Sequence, residues 1–220
     1  MPKDLNNLHN YHFIIYIFLI IMIGLAILID LKKNLFEYNN IISNQSIILD
    51  IGSGNGESSI YLAKKNPEKL IIASEVFKDG NIKLSNYIKK EKINNKKIFN
   101  KNILILFDYL SSKEVFKQIW ILFPDPWPKK KHHKRRLVNK VFLKSAYSFL
   151  SKNGQIFIST DSISYFLSIL LIINKMNIFK WDNDKVYEWD YSQNKLFYTK
   201  YFEKSLNAKR KSFIIKLSKI

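Results

Sequence analysis

Between Ile119 and Leu137 the chain reads IWILFPDPWPKKKHHKRRL, an apolar run that ends first in one carboxylate and then in a block of cations. Asp125 and Trp127 lie between Pro124, Pro126 and Pro128. Three proline rings fix φ and withdraw three amide donors, so the turn is stiff and holds its side chains in place. Lys129 to Arg136 then supply six Lys or Arg and two His, a density that on a folded surface attracts phosphate. Lys129, Lys130, Lys131, Lys134, Arg135 and Arg136 read as contacts to a polyanion backbone, weakened by salt through counterion release. His132 and His133 are adjacent, and adjacent positions seldom converge on one ion, so no metal is expected. Trp127 suits either stacking on an exposed base or plugging the turn. One acid beside many bases suggests a site that handles a nucleic acid.

A second constellation begins at Ile47–Ile51, a buried-strand pattern that runs into Gly52-Ser53-Gly54-Asn55-Gly56. Three glycines remove Cβ atoms where backbone must approach a ligand. Glu75 ends a second apolar run, Leu70 to Ala73, about 20 residues beyond the turn, where an acid accepts the two hydroxyls of a nucleoside ribose. Dinucleotide and S-adenosylmethionine sites both use this logic. Dinucleotide sites usually carry GxGxxG, whereas here the third glycine comes one residue early and Asp50 precedes the turn. A carboxylate there suits a cationic ligand that bears an amino acid.

These residues need a sheet to gather them. Helical spacing over Phe77 to Glu91, a third strand over Lys97 to Asn102, a fourth over Gln118 to Phe123 and an amphipathic helix over Arg136 to Leu150 continue the alternation. Asn153-Gly154 turns the chain into a fifth strand, Gln155 to Ser159, which stops at Thr160-Asp161. Alternating strands and helices predict an α/β fold with a mostly parallel sheet. Asp50, Glu75, Asn102, Asp125 and Asp161 then share the rim at the strand carboxyl ends, where such sheets bind ligands. Lys195 to Glu203 and a last, antiparallel strand at Ser212 to Leu217 close the chain. Trp181, Trp189 and Tyr191 read as core and domain edge.

Composition supports a polyanionic partner. Thirty-six Lys and Arg against eighteen Asp and Glu leave +18 on 220 residues, beyond what solubility asks, although an AT-rich coding bias also enriches Lys, Asn and Ile. At 47% apolar residues one domain of this size has ample core. The absence of cysteine excludes disulfides, thiolate metal sites and a Cys nucleophile. Residues 13–29, FIIYIFLIIMIGLAILI, form an uncharged run at the lower limit for crossing a bilayer. It is either a membrane anchor or a helix packed on the body, not a cleaved signal, and Lys32 and Lys33 after it keep the remainder cytoplasmic. The expected division is an amino-terminal extension, 1–46, and a catalytic domain, 47–220.

DIGSGNG, SEV, FPDPWPKKKHHKRRL, STD and TKYFE, in this order and at these separations, resemble the bacterial tRNA (guanine-N7)-methyltransferases. The likeness runs from about Ile47 onward. It implies a Rossmann-like class I methyltransferase with helices on both faces of the sheet, using S-adenosylmethionine to methylate the variable-loop guanosine at position 46 of tRNA. Carried over position by position, it implies cofactor contacts from Asp50, Gly52, Gly54, Glu75, Asn102 and Asp125, with Asp125 catalytic. For the tRNA it implies Lys129, Asp161, Thr199, Lys200, Tyr201, Phe202 and Glu203. Asn102 stands where relatives usually have Asp, and Phe202 stands where they have Glu, with Glu203 one place later. Guanine N7 offers a lone pair and no proton, so no general base is required. Carboxylates near the purine, Asp125 by the methyl and Asp161 on the guanine edge or the reverse, stabilise the charge that develops there. Asp161 equally suits a helix N-cap. The alternatives are a basic RNA-binding protein on a Rossmann body without catalysis, or a class I methyltransferase with another acceptor; monomer and homodimer both remain open.

Overall fold

A computed structural model describes residues 16–25, 35, 46–110, 114–194 and 196–220. Seven strands, β1 (Ile47–Ile51), β2 (Leu70–Ser74), β3 (Lys96–Phe99), β4 (Phe116–Leu122), β5 (Leu150–Thr160), β6 (Phe179–Trp181) and β7 (Phe213–Lys219), form one sheet in the order β3-β2-β1-β4-β5-β7-β6. The first five run parallel, and β7 enters antiparallel between β5 and β6, as expected of the last strand. Helices α2 (Glu57–Lys65), α3 (Lys78–Lys90), α4 (Ile103–Tyr109), α5 (Lys140–Phe149), α6 (Ile163–Met176) and α7 (Lys200–Asn207) follow the strands, and residues 16–25 form α1.

The strands carry two cores because their side chains alternate. Ile47, Leu49 and Ile51 of β1 face a layer that includes Leu106 of α4, Phe142 and Ala146 of α5 and Ile169 of α6. Ile48 points the other way, to Leu62 of α2 and Phe202 of α7, while Ala73 and Ile98 meet Leu84 and Ile88 of α3. A strand covered on both faces is apolar without interruption, which explains why β1 and β2 were legible as IILDI and LIIAS.

Several boundaries differ from the expectations. The third strand ends at Phe99, and Asn102 instead caps α4, its Oδ1 accepting from Leu104 N at 2.9 Å. Helix α5 starts at Lys140 rather than Arg136, because Asn139 caps it by accepting from Phe142 N at 3.0 Å and Arg136 is still extended. Ser162, not Asp161, caps α6. The fifth strand does not begin after a turn at Asn153-Gly154 but runs unbroken over Leu150–Thr160, with Asn153 at φ 57° and a register shift against β4 between Leu150 and Gln155. Helices α4 and α6 and strand β6 had no expectation.

Nine of the ten residues of α1 are exposed, Tyr16 at 64% and Ile23 at 59% among them, so these residues do not pack on the body. Among the described residues no helix is long and apolar enough to cross a membrane; residues 13–15 and 26–29 of the apolar run lie outside them. The rest of the expected amino-terminal extension from residue 30 to 46 lies outside them too, save Leu35, which bridges in parallel to Ile98 on β3, and Ser46.

Candidate cofactor and substrate cavity

The rim of the sheet opens into a cavity of about 490 Å³, within the usual range for a small-molecule site. Gly52 and Gly54 line it after β1, Ser74, Glu75 and Phe77 after β2, Lys101 and Asn102 after β3, and Phe123, Pro124, Asp125 and Trp127 after β4. Arg135 of the 3-10 turn and Lys200 and Tyr201 of α7 complete it. Of the expected residues, Gly52, Gly54, Glu75, Asn102, Asp125, Lys200 and Tyr201 therefore meet at one opening.

The glycine turn is built tightly. Gly52, Gly54 and Gly56 all have positive φ, which L side chains resist. Gly80, in the first turn of α3, seats this helix against the turn, and a Cβ there would lie 2.3 Å from the Gly54 carbonyl oxygen. Sequence reasoning missed this fourth glycine; the signal was its place five residues after Glu75. The Glu75 carboxylate accepts from Gly54 N and Phe77 N, each at 2.9 Å, so it fixes the turn while two of its lone-pair sites stay open. Asn102 spends Oδ1 on its cap, which leaves its two amide protons as donors at the cavity.

Asp50 sits behind the turn, not in the cavity lining. It is 1% exposed and accepts from the hydroxyls of Ser58, at 2.6 Å, and Ser59, so it ties β1 to the start of α2. Its Oδ1 and the nitrogen of buried Lys96 have no hydrogen-bond partner, though the two groups attract each other electrostatically. Burial pushes the Asp50 carboxyl above, and the Lys96 amine well below, their ordinary values.

The proline turn is strained and pinned. Phe123 and Trp127 take φ values of 51° and 42°, left-handed conformations that bulky residues avoid. Phe123 N donates to Ser159 O at 3.0 Å. Arg136 is 5% exposed and donates from Nε to Pro126 O at 2.8 Å, and from its two terminal nitrogens to Ser168 Oγ at 3.1 Å and Ser164 Oγ at 3.2 Å. The reading of Arg136 as a phosphate contact is thus corrected, because its guanidinium is consumed inside the protein. Arg135 points elsewhere, its Cζ lying 5.0 Å from the Trp127 ring centroid, and His132 meets the same ring edge-on at 5.9 Å.

The remaining expected residues are not in the cavity lining. Lys129 is exposed beside the turn. Asp161 pairs with Arg210 at 2.7 Å. Thr199 caps α7, accepting from Phe202 N at 3.1 Å, and Phe202 is buried against Tyr191, Phe123 and Tyr198. That burial keeps its ring from any ligand, whereas Glu203 is exposed on α7. Tyr201 approaches the glycine turn, 3.6 Å from where a Gly54 Cβ would be. Burial, then the charge of Glu75, raises its phenol pKa. Lys200 and Lys204 lie 4.9 and 5.7 Å from its ring centroid.

Residues 44–215 match a family model described as "Putative methyltransferase". The tRNA (guanine-N(7)-)-methyltransferase of Buchnera aphidicola subsp. Baizongia pistaciae (strain Bp) is 35% identical over 149 residues, covering 67% of this chain and 62% of that protein. A bifunctional methyltransferase of Rickettsia prowazekii (strain Madrid E) is 33% identical over 184 residues, 82% of this chain and 35% of that one. The chain thus spans less than two thirds of the length of these relatives. Among solved structures, an antibiotic-related methyltransferase superposes with a TM-score of 0.58 at 20% identity, covering 82% of this chain and 90% of that one. An rRNA methylase from Streptococcus thermophilus gives 0.52 at 14% identity, covering 82% and 90%. Both share the fold. With the family model matched over most of its length, and with DIGSGNG and FPDPWPKKKHHKRRL falling on the two walls of one cavity, the chain belongs to this methyltransferase family.

Proposed function

We propose that the chain transfers a methyl group from S-adenosylmethionine to N7 of guanosine at position 46 of tRNA. One observation carries this reading: Gly52, Gly54, Glu75, Asn102 and Asp125, from the ends of four strands, line one cavity beside a cation block. The residues fit the cofactor. The glycine turn leaves room that a Cβ would narrow, the two open lone-pair sites of Glu75 suit ribose hydroxyls, and the Asn102 amide suits the adenine edge. When bound, S-adenosylmethionine supplies a methyl group on a positively charged sulfur.

The chain's own part is alignment and charge. Guanine N7 needs no proton removed, so Asp125 acts as a carboxylate and not as a base, offsetting the positive charge that grows on the purine. The stiff turn keeps it where the acceptor must sit, and positioning of this kind supplies much of the rate. Lys129, Lys130, Lys131 and Lys134, all exposed on or beside the 3-10 turn, hold tRNA phosphates. Lys200 of the cavity lining, with Thr199, Glu203 and Asp161, serves the tRNA side. The exposed apolar α1 attaches the enzyme to the cytoplasmic face of a membrane.

The test is incubation of the purified protein with labelled S-adenosylmethionine and unmodified tRNA, followed by chemical cleavage at 7-methylguanosine. Label at position 46 is expected. Transfer to other acceptors but not to tRNA contradicts the reading, and tRNA binding without any transfer favours an RNA-binding role.

A further inference from the structure

The cation block holds two arginines in sequence that face opposite ways. Arg135 lies over Trp127 at the cavity, while Arg136 turns inward beneath the same turn. The Arg136 guanidinium is planar and presents its donors in a fixed fork. Here it bonds one loop carbonyl and two serine hydroxyls on α6, Ser164 and Ser168. Its remaining face lies 4.7 Å from the ring centroid of Tyr165. Tyr165 is fully buried, and its hydroxyl accepts from Val138 N at 2.9 Å, so the platform under the guanidinium is itself fixed. The bonded carbonyl belongs to Pro126, the residue between Asp125 and Trp127. No proline in this turn can donate to the surroundings, and Trp127 sits in a conformation that costs about 1–3 kcal/mol. An external donor is therefore needed to hold the turn, and Arg136 is the side chain that reaches its centre.

We propose that Arg136 is a positioning residue, anchoring the Pro124–Pro128 turn to α6 so that Asp125 is held at the cavity. This inference rests on the proposed methyl transfer. It divides the cation block by role: Arg136 governs turnover, and the exposed lysines govern tRNA affinity.

The test compares Arg136→Met, Arg136→Lys and the double variant Ser164→Ala/Ser168→Ala, measuring kcat and KM for tRNA at saturating cofactor. Amide hydrogen exchange over residues 123–129 is followed in the same proteins. Arg136→Met is expected to lower kcat about 100-fold, the scale of an ångström-sized misplacement, with KM for tRNA within about threefold and faster exchange in the turn. Arg136→Lys restores one bond to Pro126 and recovers about tenfold of that loss. The serine variant, which leaves the arginine in place, is expected to lower kcat several-fold, and it decides the matter if Arg136→Met does not fold. Unchanged kcat and exchange in the serine variant overturn the proposal, as does Arg136→Met with wild-type kcat and a raised KM. If the wild type transfers nothing to tRNA, the functional reading fails while the exchange data still decide whether Arg136 anchors the turn.

Discussion

Asp125 and Lys131 sit six residues apart, one lining the cavity and one exposed on the 3-10 turn, and they should fail differently. On the proposed methyl transfer, Asp125→Ala removes the carboxylate assigned to the acceptor and is expected to lower kcat by about 100- to 1,000-fold, with tRNA affinity nearly unchanged. On the same proposal Lys131→Ala removes one phosphate contact, so binding is expected to weaken across tRNAs and the salt dependence of log K to flatten by about one unit, with turnover at saturation retained. Filter binding at several salt concentrations beside saturating kinetics separates the two. Equal loss of turnover in both would contradict the division. Residue types alone could not divide the block further. Arg136 carries the same charge as Arg135, and only Leu137 and Val138 after it hint that the chain has turned inward. Nothing in the sequence around Lys96 marks it as buried, yet its nitrogen is enclosed without a hydrogen-bond partner.

At the scale of elements, the docking of α3 on the glycine turn is decided by the missing side chain of Gly80. Ala normally suits a helix better than Gly, but here a Cβ would meet backbone that cannot swing aside. Gly80→Ala is expected to cost about 1–3 kcal/mol of stability and to weaken S-adenosylhomocysteine binding, both readable by thermal shift with and without the ligand. A variant as stable as the wild type would disprove this packing. Lys96 sets a pH dependence on the neighbouring strand. Its folded pKa lies below the ordinary 10.5, so between those values the unfolded chain binds a proton that the folded chain lacks, and stability rises with pH. In Lys96→Met this rise in stability should be reduced over the range below 10.5; urea midpoints of both proteins at several pH values check it, and an unchanged pH dependence in the methionine variant would show that another group sets it. Elements that had to be apolar on both faces, β1, β2 and β4, were legible because burial writes itself as Ile and Leu. Strand β6 was not, since its three residues exist as a strand only through pairing with β7. Helix α6 was missed because FLSILLII is apolar without a clear 3.6-residue alternation.

For the whole molecule, two features act at long range, the charge of +18 and the exposed apolar helix α1. Both favour an anionic membrane surface, the first by attraction and the second by burial of its side chains. The full chain is expected to float with vesicles containing phosphatidylglycerol, and a chain lacking residues 1–34 is not. Flotation of neither would end the attachment reading. The family was legible because the motifs fall on the two walls of the cavity, where chemistry limits the choice of residue. Thr199 to Glu203 were less so: a single helix there presents Tyr201 to the cavity and hides Phe202 in the core, a distinction that depends on how α7 is rolled.

The position of β7 has a consequence for synthesis. It pairs with β5 from Gln155↔Ser218 to Thr160↔Phe213 and is the partner on which β6 depends. A ribosome that has released everything up to Ala208 has made each cavity-lining residue, yet the strand that closes the sheet beside them is not available. The sheet is complete only once residues 213–219 have inserted between β5 and β6, after every residue that lines the cavity.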